Sequence, residues 1–194
     1  MTVTTAVDTG RATTRWTVQR WDADQTAWVQ RRTGLHAPAL DDFTRLGVDS
    51  YRTTEVLGNL VTNAGWTRIM SLVTAQGAAQ ALDATHVRIG VGNGVTAEAY
   101  TDADLAAAAG SANRWFQPVG GAGALGTRTL TFSATFNPAD GNFAWNEFGI
   151  DVTSGVAAAG NTVGALLLNR KSGIAQGSKA NGQTWAATAM ITFS

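Results

Sequence analysis

Two stretches of this chain alternate so regularly that little choice of backbone is left to them. In residues 127–136, Leu130, Phe132, Ala134 and Phe136 alternate with Thr129, Thr131, Ser133 and Thr135. In residues 183–193, Trp185, Ala187, Ala189, Ile191 and Phe193 mark one face. Successive side chains of a strand point to opposite sides, so each pattern predicts a strand with one face on a core. The first stretch ends in Asn137-Pro138-Ala139-Asp140-Gly141, which is turn chemistry. Residues 85–91 (Val87, Ile89 and Val91 on one face), 113–119 and 164–170 read as further strands, and residues 142–152 as extended or partly helical. The expected fold is therefore mainly β: an antiparallel β-sandwich or barrel-like domain with one substantial helix and an extended N-terminal arm.

The remaining segments follow weaker rules. Residues 1–14 are Thr-rich and read as an extended or flexible arm. Residues 15–32 predict a β-hairpin turning at Asp22-Ala23-Asp24-Gln25, with Trp28 on the return strand. Its first strand carries Trp16 on one face and Trp21 on the other, which fits a strand covered on both sides. Arm and hairpin make an appendage, residues 1–33, to a β-rich domain of residues 34–194. Residues 34–49 read as a loop. Residues 53–76 predict the main helix, with Thr54 as N-cap and Val56, Leu57, Leu60, Val61, Ala64, Ile69, Leu72 and Val73 near a 3.6 period. Gly58 and Gly65 each cost that helix about 1 kcal/mol, and Gly65 either kinks it or admits a close neighbour beside Trp66. Residues 101–109 predict a short helix capped by Thr101, and residues 120–126 a Gly/Ala loop.

Only 14% of the 194 residues are charged, and 14 Lys+Arg balance 14 Asp+Glu. A neutral chain exerts no broad pull on nucleic acid or anionic membranes, and neither is expected as a partner. The absence of cysteine excludes disulfides, thiolate metal sites and cysteine nucleophiles. No window reaches the roughly 18 apolar residues of a membrane helix, and the polar N-terminus lacks the apolar stretch of a secretory signal.

Catalytic and cofactor motifs are thin. Gly90-Val91-Gly92-Asn93-Gly94 lacks both the dinucleotide spacing and a phosphate-loop ending, so it reads as a tight turn at positive φ. His36 and His86 are isolated in sequence and predict no zinc site. Asp41-Asp42 sits in a loop without a calcium-loop pattern, and Asp102 with Asp104 reads as helix capping. The densest stretch is 142–150, where Trp145, Asn146 and Phe148 surround Glu147. Such a carboxylate could serve as an acid, but no nucleophile or base accompanies it. The preferred reading is a structural ion pair with Arg170, Lys171 or Arg88. Seven tryptophans on a charge-poor chain suit subunit interfaces or a carbohydrate platform. The structural and interface candidates are Trp16, Trp21, Trp28, Trp66, Trp145, Glu147, Arg170 and Lys171; no catalytic, cofactor or metal residue is assigned.

Residues 55–194 resemble a group of virion structural proteins of tailed bacteriophages that infect actinobacteria. The resemblance rests on an order of segments: Ile89-Gly90-Val91-Gly92-Asn93-Gly94, Thr101-Asp102-Ala103-Asp104-Leu105, Phe132-Ser133-Ala134-Thr135-Phe136, Asn142-Phe143-Ala144-Trp145-Asn146-Glu147-Phe148-Gly149-Ile150, Leu168-Asn169-Arg170-Lys171, and Gly177-Ser178-Lys179 before Gln183-Thr184-Trp185. It implies a non-enzymatic virion component. The head is favoured, as a decoration or minor capsid protein contacting the major capsid protein, in a homo-oligomer with a trimer expected. The alternative is a minor tail, tip or fibre protein with a receptor- or glycan-binding role. A hydrolase acting through Glu147 is the third reading.

Overall fold

The structure is a computed structural model that describes residues 12–77, 80–120, 124–152 and 155–194. Ten strands form two five-stranded antiparallel sheets packed as a sandwich, not a closed barrel. Sheet A has the order β2-β1-β10-β7-β6, built from Arg52–Leu57, Ala12–Trp21, Thr184–Phe193, Thr129–Phe136 and Ala124–Gly126. Sheet B has the order β3-β9-β8-β4-β5, built from Leu60–Val61, Leu167–Ser172, Glu147–Asp151, Arg88–Gly92 and Arg114–Pro118. Three helices complete the described chain: α1 (Ala23–Thr33), α2 (Leu40–Arg45) and α3 (Asn63–Thr74).

The two strongly alternating stretches become β7 and β10, paired from Trp185↔Phe136 to Thr192↔Thr129. Their predicted inward residues, except Phe193, which is 37% exposed at the end of β10, meet the inner face of sheet B, where Ile89, Val91, Phe148 and Ile150 are fully buried. Trp16 of β1 stacks on Phe148 of β8 across the sandwich, 4.7 Å between ring centroids. Trp145 meets Phe136 and Trp185 edge-on, each at 4.8 Å. Aromatic pairs in these geometries add to the burial of their area.

The predicted hairpin at 15–32 is a strand followed by a helix. Asp22-Ala23-Asp24-Gln25 is a capping box: the Asp22 carboxylate accepts from the Gln25 N–H, and the Gln25 side chain accepts from the Asp22 N–H. That reciprocal pair satisfies two donors at a helix start. β1 finds its partners far along the chain, in β10 and β2, and so belongs fully to sheet A. The expectation that β1 is covered on both faces holds. Trp16 lies in the main core, while Trp21 lies on the outer face with Phe43 of α2 at 4.4 Å, beside Val29 of α1 and Ala186. Of the predicted arm, residues 1–11 lie outside the described residues, and Ala12 to Thr14 are already in β1.

The long helix at 53–76 is also corrected. Arg52–Leu57 is strand β2 along the open edge of β1, and Gly58, at φ +98°, turns the chain across to sheet B. Thr54 caps nothing and instead accepts from Arg20. The helix starts at Asn63, with Thr62 as its N-cap. Gly65 does admit a close neighbour: a Cβ there would sit 2.1 Å from the Leu168 carbonyl oxygen. Residues 101–109 form no helix, and of the predicted loop at 120–126 the residues 121–123 lie outside the described residues and 124–126 are strand β6.

Candidate functional site: a strap held by charge across sheet B

Alternation along β8 sends Phe148 and Ile150 into the core and Glu147, Gly149 and Asp151 to the outer face of sheet B. On β4 it sends Arg88, Gly90 and Gly92 to that same outer face. The connection between β4 and β5, residues 93–113, folds back over this surface. Its base is closed by the Asn93 N–H donating to the Asn113 carbonyl (2.9 Å) and by the two side-chain amides (3.1 Å). Leu105 from the strap packs with Phe116, Ala165 and Leu167 beneath it.

The glycine run makes this approach possible and is not a turn. Gly90, Gly92 and Gly94 have no positive φ. A Cβ on Gly90 would meet the Phe116 ring at 2.4 Å. One on Gly92 would meet Glu147 Oε1 at 2.5 Å and the Ala107 Cβ at 2.9 Å, and one on Gly94 the same Oε1 at 2.5 Å. The glycines are spaces for what lies over them.

Glu147 is the centre of the strap's anchorage and is fully buried. Oε1 accepts from the Ala107 N–H (2.7 Å); Oε2 accepts from the Ala106 N–H (3.0 Å) and from Arg170 Nε (2.8 Å). Arg170 then donates to Asp102 (2.7 Å) and to the Thr96 carbonyl (2.8 Å), both in the strap. Burial works to lower the Arg170 pKa, but Asp102 and Glu147 outweigh it and the net shift is upward. Of the three cations proposed for Glu147, Arg170 is the partner. Arg88 pairs with buried Asp151 (2.7 Å), and Lys171 pairs with Glu98 of the strap (3.0 Å). Burial works to raise the Glu98 pKa, but hydrogen bonds from Ser172, its own backbone and Lys171 outweigh it and hold it near 2. Asp104 pairs with Arg114 and accepts from the Gly164 N–H. Asp102 and Asp104 therefore anchor the strap rather than cap a helix.

The Glu147 carboxylate is fully buried, and both its oxygens accept from N–H donors. His86 is held locally by Asp83 (2.8 Å), and among the described residues no group of three or more His, Asp or Glu is placed to hold a metal ion. The tryptophan candidates divide. Trp16, Trp21 and Trp145 are buried, whereas Trp66 and Trp28 are 42% and 38% exposed. Trp66 heads a stripe on α3 with Met70 and Val73, all exposed at helical spacing. Trp28 borders a groove with Asp24, Gln25, Leu46, Val48 and Asp49. Sequence reasoning missed Glu98 and Arg114 and misread Asp102 and Asp104. Three acids within seven residues beside a glycine run were the one available signal. Compared with protein-family models, curated proteins and solved structures, the chain matches none.

Proposed function

We propose that this chain is a non-enzymatic structural protein of a bacteriophage particle, acting as a decoration or minor capsid protein on the head. The observation that carries the reading is the exposed apolar stripe Trp66, Met70 and Val73 on an otherwise well-filled sandwich. A helix stripe of this kind on a charge-poor domain suits a permanent contact with a neighbouring subunit. The order of segments, which resembles that of actinobacteriophage virion proteins, supports the same reading, and the major capsid protein and further copies of this chain, as a trimer, are the proposed partners. The chemistry of the strap fits this role too: its carboxylates are taken up by Lys171, Ser172, Arg170 and Arg114 and by backbone N–H groups.

The test is co-sedimentation of purified protein with empty phage heads, alongside its oligomeric state in solution. Pelleting with heads is expected, and it should weaken in Trp66→Ser. A protein that stays monomeric and never pellets with heads defeats the head reading. The Trp28 groove favours one alternative, a minor tail or fibre protein that binds a glycan. Binding to tails or host cells in the same assay would promote it.

A further inference from the structure

Two of the links that carry the chain from one sheet to the other meet at one end of the sandwich. The β7–β8 link passes from sheet A to sheet B, and the β9–β10 link returns. They run antiparallel beside each other. The Trp145 N–H donates to the Gly177 carbonyl (2.9 Å), the Lys179 N–H to the Phe143 carbonyl (3.1 Å), and Ala144 bridges Ser178. This short ladder fixes Lys179 beside Asn142. Lys179 is 2% exposed, and its Nζ lies 2.8 Å from Asn142 Oδ1 and 2.7 Å from the Asn137 carbonyl oxygen. A C=O bond is about 1.23 Å long, so Nζ lies within about 4 Å of the Asn142 carbonyl carbon.

We propose that Lys179 and Asn142 form an intramolecular isopeptide bond that locks the two sheets together covalently. In the reaction the neutral Nζ lone pair attacks Asn142 Cγ. The tetrahedral adduct collapses, the Cγ–Nδ2 bond breaks, and Nδ2 leaves as ammonia with the proton that Nζ gives up. One C–N bond replaces another, nothing is oxidised or reduced, and no co-reactant is required.

The surroundings favour each step. An amine nucleophile must be unprotonated, and desolvation of a lysine supplies that form. Burial pushes the Lys179 ammonium down to about 8, with the charge of Asp140 opposing the shift. Burial also pushes the Asp140 carboxyl upward, while its hydrogen bond from the Asn137 N–H and Lys179 oppose that. The backbone ladder holds the reactants together before reaction, which removes much of the entropic cost of the encounter. The Asn142 amide is also oriented, with Nδ2 donating to the Pro138 carbonyl at 2.8 Å. Among the described residues Lys179 makes no salt bridge: its acceptors are carbonyl and amide oxygens.

The experiment is intact-mass spectrometry of the full-length protein, incubated folded above the Lys179 pKa of about 8 and then denatured and digested. The expected result is a chain lighter by one ammonia, with a branched peptide joining the segments that contain Asn142 and Lys179. Asn142→Ala and Lys179→Arg should both keep their full mass. Full mass with two linear peptides from the folded wild type overturns the proposal. So does an ammonia loss that persists in Asn142→Ala, which would place the loss at another amide.

Discussion

The outer face of sheet A is closed by two helices and the outer face of sheet B by a strap without regular structure. Over sheet A the contact is apolar, with Trp21 and Ala186 meeting Val29 and Phe43. Over sheet B a small apolar cluster around Leu105 and Phe116 is ringed by ion pairs from Arg88, Arg114, Glu147 and Arg170. A helix satisfies its own backbone, so it needs only an apolar stripe to dock. An irregular strap brings unpaired N–H and C=O groups onto the sheet, and buried polar groups must find partners. Glu147 and Arg170 supply them, taking two strap N–H groups and two strap carbonyls. The charge on sheet B thus substitutes for the secondary structure that its cover lacks.

The strap depends most on Glu147. Glu147→Ala strands Arg170 without one of its carboxylates and leaves the buried Ala107 N–H and the part-buried Ala106 N–H without their acceptor, a loss of about 4 kcal/mol on the scale of a broken buried pair. Urea unfolding measures it, and hydrogen exchange should show residues 93–113 opening well before α1. A variant as stable as the parent would mean that the strap is held by its apolar contacts alone. Phe43→Ala tests the other cover. It removes a fully buried ring from the helix contact and should cost about 3 kcal/mol, with hydrogen exchange rising in α1 and α2 while the strap stays protected. Acid sharpens the contrast with the smallest effect. The folded Glu98 pKa is near 2 against an ordinary 4.5, so its contribution is complete above pH 4.5 and is lost as pH falls through 2. The loss should be about 1–2 kcal/mol once partial solvent exposure is allowed for. Unfolding midpoints of wild type and Glu98→Gln, followed across that window, should converge; curves that stay parallel would remove Glu98 from the anchorage.

The helix cover and the strap also differ in how far they could be read in advance. Asp22 and Gln25 carried a capping box in plain view, yet the alternation of Trp28 and Gln30 with Val29 suggested a returning strand. The box was the stronger signal, because it satisfies backbone donors that a turn would leave to water. The strap had no local signature. Arg170 and Asp102 are 68 positions apart, Lys171 and Glu98 73, and neither residue of such a pair announces the other. The glycines at 90, 92 and 94 were legible as special positions, but not as spaces under a strap, because the atoms they admit come from elsewhere in the chain.

Sequence alone determined the two alternating strands, their inward faces up to Ile191, the double cover of β1 and the pairing of Glu147 with a cation, with Arg170, Lys171 and Arg88 all open as its partner. These follow from local rules: a half-buried strand repeats every second residue, and a carboxylate set among aromatics demands a positive partner. That 52–57 is a strand follows from long-range pairing with β1. The spacing of 52–57 continues the helical period of α3, but β1 offers an open edge of hydrogen-bonding groups, and Arg52–Leu57 fills it. Only the tertiary structure set Lys179 beside Asn142 and laid residues 93–113 across sheet B. Those contacts depend on which distant segments the closed sandwich brings to one place, and no window of sequence contains both partners.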